Sequence, residues 1–246
     1  MNARRLDLEM VSRGLARSRA KAQHLITEKR VLVDGEDARK FSQKVTPHTR
    51  IEVDTRNKDW VGRGAYKLLA AFDHFGFEPK DAIAADIGAS TGGFCEVLLT
   101  RGAQKIYAVD VGHGQLHESL KNSPRLVNLE GVNAKNITAD IIPEPLDMVV
   151  SDVSFISLTK ALPATLALCK DGAKLAALVK PQFEVGRKNI GKGGIVRDAD
   201  LVEKVRHDME QWINSLDGWQ CLGTIESPIT GSDGNREYLL GAHYNA

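Results

Sequence analysis

The chain has 246 residues, 42% of them hydrophobic and 26% charged, with a formal net charge of +1. That composition excludes large-scale disorder, and the length exceeds one ordinary domain and fits two unequal ones. No apolar run reaches the ~20 residues that a bilayer-crossing helix needs, and the start Met1-Asn2-Ala3-Arg4-Arg5 lacks signal-peptide character, so a cytoplasmic location without a membrane partner is expected.

Charge is divided unevenly along the chain. Residues 1–60 hold 14 Lys+Arg against 9 Asp+Glu, and the remainder 19 against 23. A basic head on a mildly acidic body points to a polyanion engaged mainly through the head. Cys95, Cys169 and Cys221 are far apart and lack CxxC spacing, so they are expected to be reduced core residues, with no metal site.

In the head, Leu8, Val11 and Leu15 recur at near-helical spacing, and Ser18 is placed to cap a second amphipathic segment carrying Ala22, Leu25 and Ile26. Arg13, Arg17, Arg19, Lys21, Lys29 and Arg30 fall between or opposite those apolar positions. Packing the apolar side therefore predicts that they, with Arg4 and Arg5, face outward towards phosphates. Val31 and Val33 lead into the Asp34-Gly35 turn, and Arg50-Ile51-Glu52-Val53 alternates again, predicting two small strands. The run RLDLEMVSRGLARSRAKAQHLITEKRVLVDGE resembles the S4 RNA-binding domain. The resemblance implies a small α+β domain over residues 1–55 that presents arginines and lysines to folded RNA. The polar stretch 56–64 is the expected linker.

Residues 65–246 alternate helical and strand-like patterns, which predicts a doubly wound α/β domain whose parallel sheet is covered on both faces. Leu68, Leu69, Phe72 and Phe75 predict a helix, residues 82–87 a strand, 94–100 a helix and 105–109 a strand. Further strands are expected at 148–151, 175–179 and 237–241, with helices near 158–169 and 199–215. The turn Asp86-Ile87-Gly88-Ala89-Ser90-Thr91-Gly92-Gly93-Phe94 joins a strand to a helix, where glycines let the backbone approach a nucleoside-like ligand. Asp110 ends the next strand, placed to accept hydrogen bonds from ribose hydroxyls, with Val111 beside it. A dinucleotide enzyme would carry GxGxxG, whereas these glycines fall at 88, 92 and 93 and make a poor pyrophosphate cradle. S-adenosylmethionine (SAM), which has ribose but no phosphate, fits the pattern better.

Four charged groups stand in suggestive places: Lys67 in GAYKLL, Asp152 after Met148-Val149-Val150, Lys180 after Leu175 to Val179, and Glu237 in NREYLLG. Asp152 and Lys180 should sit at the carboxyl ends of central strands, where open α/β sheets bind ligands. Here the body is similar to the FtsJ/RrmJ family of 2′-O-methyltransferases, whose site is a Lys-Asp-Lys-Glu tetrad in this order. With its S4-like head, the whole chain resembles the TlyA family, often labelled hemolysin or rRNA methyltransferase. The resemblance implies a Rossmann-like SAM-dependent fold and a tetrad of Lys67, Asp152, Lys180 and Glu237, with Lys180 as the deprotonating or orienting group. It also implies SAM contacts from residues 86–94, Asp110, Val111, Asn133 and Asp152, and methylation of a cytidine 2′-oxygen in 23S rRNA, in some members also 16S rRNA.

Partners are then ribosomal RNA or a ribosomal subunit, with the chain itself a monomer or weak dimer. The glycine-rich, basic stretch 185–197 predicts a loop whose Arg187, Lys188, Lys192 and Arg197 approach RNA. Two rivals are an assembly factor that binds RNA without transferring methyl groups and, less favoured, a hemolysin, against which the missing spanning segment and secretion signal argue. Base methylation is the enzymatic rival. Amino-directed enzymes place an Asn/Asp-Pro-Pro-aromatic turn where this chain has Asp152-Val153-Ser154-Phe155.

Overall fold

The computed structural model describes residues 3–16, 18–27, 30–53, 60–231 and 234–246, the side chains of Arg187 and Lys192 excepted. Arg17 and Lys29 therefore lie outside the described residues, as do the side chains of Arg187 and Lys192 and residues 56–59 of the expected linker. The chain forms two compact units, Met1–Asp59 and Trp60–Ala246. Among the described residues no helix is long and apolar enough to cross a membrane.

The first unit runs β1 (Arg4–Arg5), α1 (Leu6–Ser12), α2 (Arg19–Thr27), β2 (Val31–Val33), β3 (Glu36–Asp37), β4 (Lys44–Val45) and β5 (Ile51–Val53). Ser18 Oγ accepts from the Lys21 N–H at 3.2 Å and starts α2. Ala22, Leu25 and Ile26 pack with Leu6, Met10 and Val31 into one core. The first helix is turned relative to expectation: Leu6 and Met10 are buried, whereas Leu8 is 45% exposed. The cause is β1, which pairs with β4 and delivers Leu6 inward, its N–H bonded to the Gln43 carbonyl at 2.8 Å. β2 lies between β3 and β5, with Val31 opposite Val53.

The second unit continues α3 (Gly64–Phe75), β6 (Ile83–Ile87), α4 (Gly93–Thr100), β7 (Lys105–Asp110), α5 (Glu118–Lys121), β8 (Leu126–Glu130) and β9 (Leu146–Ser151). It ends with α6 (Leu158–Ala161), α7 (Pro163–Leu166), β10 (Cys169–Val179), α8 (Pro181–Glu184), α9 (Ala199–Asn214), β11 (Trp219–Glu226) and β12 (Tyr238–Tyr244). Seven strands make one sheet in the order β11-β12-β10-β9-β6-β7-β8. The strands from β10 to β8 run parallel. Successive residues of β6 serve opposite faces: Ala84 joins the core beneath α3 and α4, and Ala85 the core beneath α9.

Two departures from the predicted pattern shape the site. Pro163 divides the expected 158–169 helix into α6 and α7, because proline starts a helix readily but interrupts one already running. The final pair is antiparallel: β12 runs against β10 with Tyr238 opposite Val179. Its amino end therefore lies at the edge where the parallel strands finish.

Candidate active site

β6 passes into α4 through a loop with positive φ at Gly88, Ser90 and Gly92. A side chain at Gly88 would place its Cβ 2.9 Å from the Asp152 carbonyl oxygen, so the loop can press against the exit of β9 only with glycine there. Asp110 ends β7, and its two carboxylate oxygens accept from the Ser90 N–H at 2.8 Å and the Gly112 N–H at 2.7 Å. The strand end and the loop are thus tied together.

Beside them opens a cleft of about 380 Å³ with Gly88, Asp110, Val111, Asn133 and Asp152 in its wall. Among the described residues its lining contains two carboxylates and no Lys or Arg. A second hollow of about 220 Å³ adjoins it, sharing Gly88, Ser90, Asp152 and Ser154 and adding Ala89, Thr91, Gly93, Phe94 and Lys180. Gly92 caps α4 and faces Leu116 and Leu120.

Asp86 lines neither hollow. It is wholly buried under the loop and accepts from Cys95 Sγ at 3.0 Å. Burial pushes its carboxyl up to about 7, helped by the charges of Asp152 and Asp110 and opposed by the Cys95 hydrogen bond.

The four charged groups converge. Lys67 Nζ donates to Glu237 Oε2 at 2.6 Å and stands 3.8 Å from Asp152 Oδ2. Lys180 Nζ lies 2.6 Å from Asp152 Oδ1. The result is one line, Glu237–Lys67–Asp152–Lys180, of alternating sign. Each member arrives by a different route: Lys67 from the first turn of α3, Asp152 and Lys180 from the ends of β9 and β10, and Glu237 from the start of antiparallel β12. Lys67, Lys180 and Glu237 are buried, and two charges of each sign leave none uncompensated.

On the far side of Lys180 is a cleft of about 810 Å³, which Lys180, Glu237, Ser154 and Phe155 line together with Gly186, Ile190 and Gly194 of the predicted basic loop. Lys188 and Arg197 of that loop are exposed. Phe155 is 91% exposed and holds a positive φ of 66°, its ring 5.1 Å from that of Phe183. A bulky residue in that conformation, with its ring in solvent, marks a strained segment at the cleft mouth. Ser154, Phe155, Arg63 and Gln115, which line these hollows, were not singled out from sequence. The exposed aromatic directly after Asp152-Val153-Ser154 was the available signal for Phe155.

In the first unit several expected surface cations have internal work. Arg30 is only 6% exposed, since it immediately precedes β2 beneath the core. Arg13 donates to Glu9 Oε1 at 2.9 Å and to the carbonyls of Thr49 at 2.7 Å and Thr46 at 2.9 Å, stapling α1 to the 46–49 turn. Arg5 and Arg19 both donate to buried Asp7, Arg5 at 2.9 and 3.0 Å and Arg19 at 3.0 Å. Their hydrogen bonds hold the Asp7 carboxyl far below the usual carboxylate range. Arg19 still exposes 54% of its side chain and Arg4 62%, so both present charge to solvent.

The FtsJ-like methyltransferase model matches residues 60–244, and the S4 domain model residues 4–51. A Mycobacterium tuberculosis relative, 16S/23S rRNA (cytidine-2′-O)-methyltransferase TlyA, is 45% identical over 96% of this chain and 88% of its own. Hemolysin A of Brachyspira hyodysenteriae is 41% identical over 98% of this chain and 99% of its own. A solved Streptococcus thermophilus protein, described as a candidate hemolysin, superposes with a TM-score of 0.74 at 36% identity, covering 100% of this chain and 90% of that one. With a glycine turn, an acidic strand end and a convergent Lys-Asp-Lys-Glu line at one sheet edge, and with matches spanning both units, the chain belongs to the FtsJ-like methyltransferases that carry an S4 domain.

Proposed function

We propose that this chain transfers a methyl group from SAM to a ribose 2′-hydroxyl of ribosomal RNA, with a cytidine of 23S rRNA as target and 16S rRNA as a second substrate to be tested beside it. The observation that carries the reading is the buried line Glu237–Lys67–Asp152–Lys180, standing between a cleft suited to the donor and one open to the acceptor. The tuberculosis relative, named for this reaction, supports it.

The donor cleft fits SAM on charge and size. A wall without Lys or Arg offers a pyrophosphate no counter-charge, Asp110 adds negative charge that favours a cationic ligand, and about 380 Å³ is in the range of small-ligand sites. Asp110 would accept from the ribose hydroxyls, with Asn133 in the same wall and the 88–94 loop alongside. When bound, SAM supplies a methyl group on a sulfonium that leaves as a neutral thioether.

The chain's own residues then align the acceptor and manage its proton. A ribose hydroxyl is weakly acidic, so a positioned base matters. Lys180 Nζ, once its ammonium has given a proton to solvent, takes that proton. Asp152, 2.6 Å away, stabilises the ammonium that forms, while Lys67, anchored by Glu237, fixes Asp152 from the other side. The exposed Phe155 ring offers a stacking surface for an RNA base at the acceptor mouth. Outward cations of the first unit, Arg4 and Arg19 among them, supply sequence-independent attraction to RNA phosphates.

Mapping 2′-O-methyl marks on 23S and 16S rRNA from cells with and without this protein tests the reading. A cytidine mark present only with the protein is the expected result. Identical maps would remove it.

A further inference from the structure

We propose that Ser154 is a positioning residue that aims Lys180 at the acceptor hydroxyl; this deepens the methyl-transfer reading and rests on it. Ser154 lines the donor cleft, the adjoining hollow and the acceptor cleft alike, so it stands where the three meet. Its Oγ accepts a hydrogen bond from Lys180 Nζ at 2.8 Å.

The nearer contact, 2.6 Å to Asp152 Oδ1, is an ion pair without hydrogen-bond alignment, because that oxygen has no aligned donor. The two partners therefore do different things. Coulomb attraction to Asp152 is almost non-directional and fixes where the nitrogen sits. Only an aligned hydrogen bond selects which way its N–H bonds, and hence its lone pair, point about the Cε–Nζ axis.

Ser154 is itself held in place. Just before it, the Asp152 N–H bonds the Ile87 carbonyl at 3.1 Å, and just after it the Leu158 N–H bonds Glu184 Oε1 at 2.9 Å. The segment is thereby pinned both to β6 and to α8, the helix that Lys180 precedes. Once the ammonium has given one proton to solvent, the amine has two N–H bonds and one lone pair. With one N–H held on Ser154, rotation about the Cε–Nζ axis is stopped, and the lone pair can be presented to the acceptor hydroxyl from one of the two remaining positions. As the 2′-oxygen forms its bond to the methyl carbon, the carbon–sulfur bond breaks and keeps its electrons on sulfur. The hydroxyl proton passes to Nζ, giving an ammonium.

The test compares Ser154→Ala and Ser154→Thr, measuring steady-state transfer to rRNA, SAM affinity by calorimetry and thermal melting. Ser154→Ala is expected to lower kcat by about 10-fold or more with KM for RNA and Kd for SAM within about twofold of wild type, because orientation is lost and binding is not. Ser154→Thr, which keeps Oγ, restores most of the rate. A wild-type kcat in the alanine variant, failure of threonine to rescue, or a fall in melting temperature and SAM affinity matching the fall in kcat would each overturn the assignment. If the wild-type protein puts no label on ribose at all, the functional reading fails, and the role of Ser154 with it.

Discussion

Lys67 and Glu237, 170 positions apart in the chain, meet at 2.6 Å in a buried pair that joins the first helix of the second unit to its last strand. Removing one partner leaves the other charge buried and poorly compensated, which costs about 3–5 kcal/mol, whereas replacing both with apolar residues of similar volume is far less harmful. Glu237→Ala should therefore destabilise by about 3 kcal/mol. Lys67→Met combined with Glu237→Leu should recover most of that while remaining inactive. Urea unfolding and methyl transfer measured on the same samples check it; an active double variant would contradict the catalytic placement of the pair.

Asp110 accepts two loop N–H groups and still turns an edge to the donor cleft. Charge-assisted hydrogen bonds contribute about 1.5–3 kcal/mol, so Asp110→Ala should weaken SAM binding by about 10- to 100-fold, and Asp110→Asn, which keeps one acceptor oxygen, by less. Calorimetric titration with SAM measures both. Equal affinity in the alanine variant would place the ribose elsewhere.

Asp86 gives the fold a pH dependence of definite sign. Its folded carboxyl is raised to about 7 from an ordinary 3.8, so the native state binds the proton more tightly than the unfolded chain. That contribution to stability is present in full below about pH 4 and is lost as pH rises towards 7. Asp86→Asn should remove this slope, so its stability relative to wild type increases between pH 4 and 7 by up to about 4 kcal/mol. Thermal melts at pH 5 and pH 8 decide it; parallel curves for the two proteins would count against the buried-acid account.

In the first unit, Arg13 and Arg19 should separate by assay. Arg13→Ala removes hydrogen bonds to four backbone or carboxylate oxygens and should destabilise that unit by about 1–3 kcal/mol while hardly changing the salt dependence of RNA binding. Neutralising Arg17, Arg19 and Lys21 together should reduce the slope of log affinity against log salt by about 2. An unchanged slope would remove the phosphate role from these cations.

Much of this site was legible because its parts sit at strand ends, where a run of apolar residues followed by Asp152 or Lys180 announces both burial and the carboxyl edge of a sheet. The glycine turn and Asp110 were legible for the same reason. What the pattern hid was three-dimensional. Nothing in the sequence around Glu237 says that β12 runs antiparallel, yet that direction is what brings it beside Lys67. Arg13 and Arg30 look like surface cations until the 46–49 turn and β2 close around them. Leu8 has helical spacing from Val11 and Leu15, but the short β1 pairing sets the rotation of α1 and buries Leu6 instead. Phe155 carried a signal that periodicity ignores, a single aromatic held out at a strand end.

The most direct measurement is transfer of labelled methyl from SAM to ribosomal RNA by wild-type protein and Lys180→Ala, followed by alkaline hydrolysis. A ribose that lacks its free 2′-hydroxyl resists alkali, so label deposited there is recovered in alkali-stable dinucleotides. Wild type should yield such dinucleotides, and Lys180→Ala should bind SAM normally while its rate falls at least about 100-fold. Label recovered in mononucleotides, or undiminished transfer by the Lys180 variant, would contradict the account.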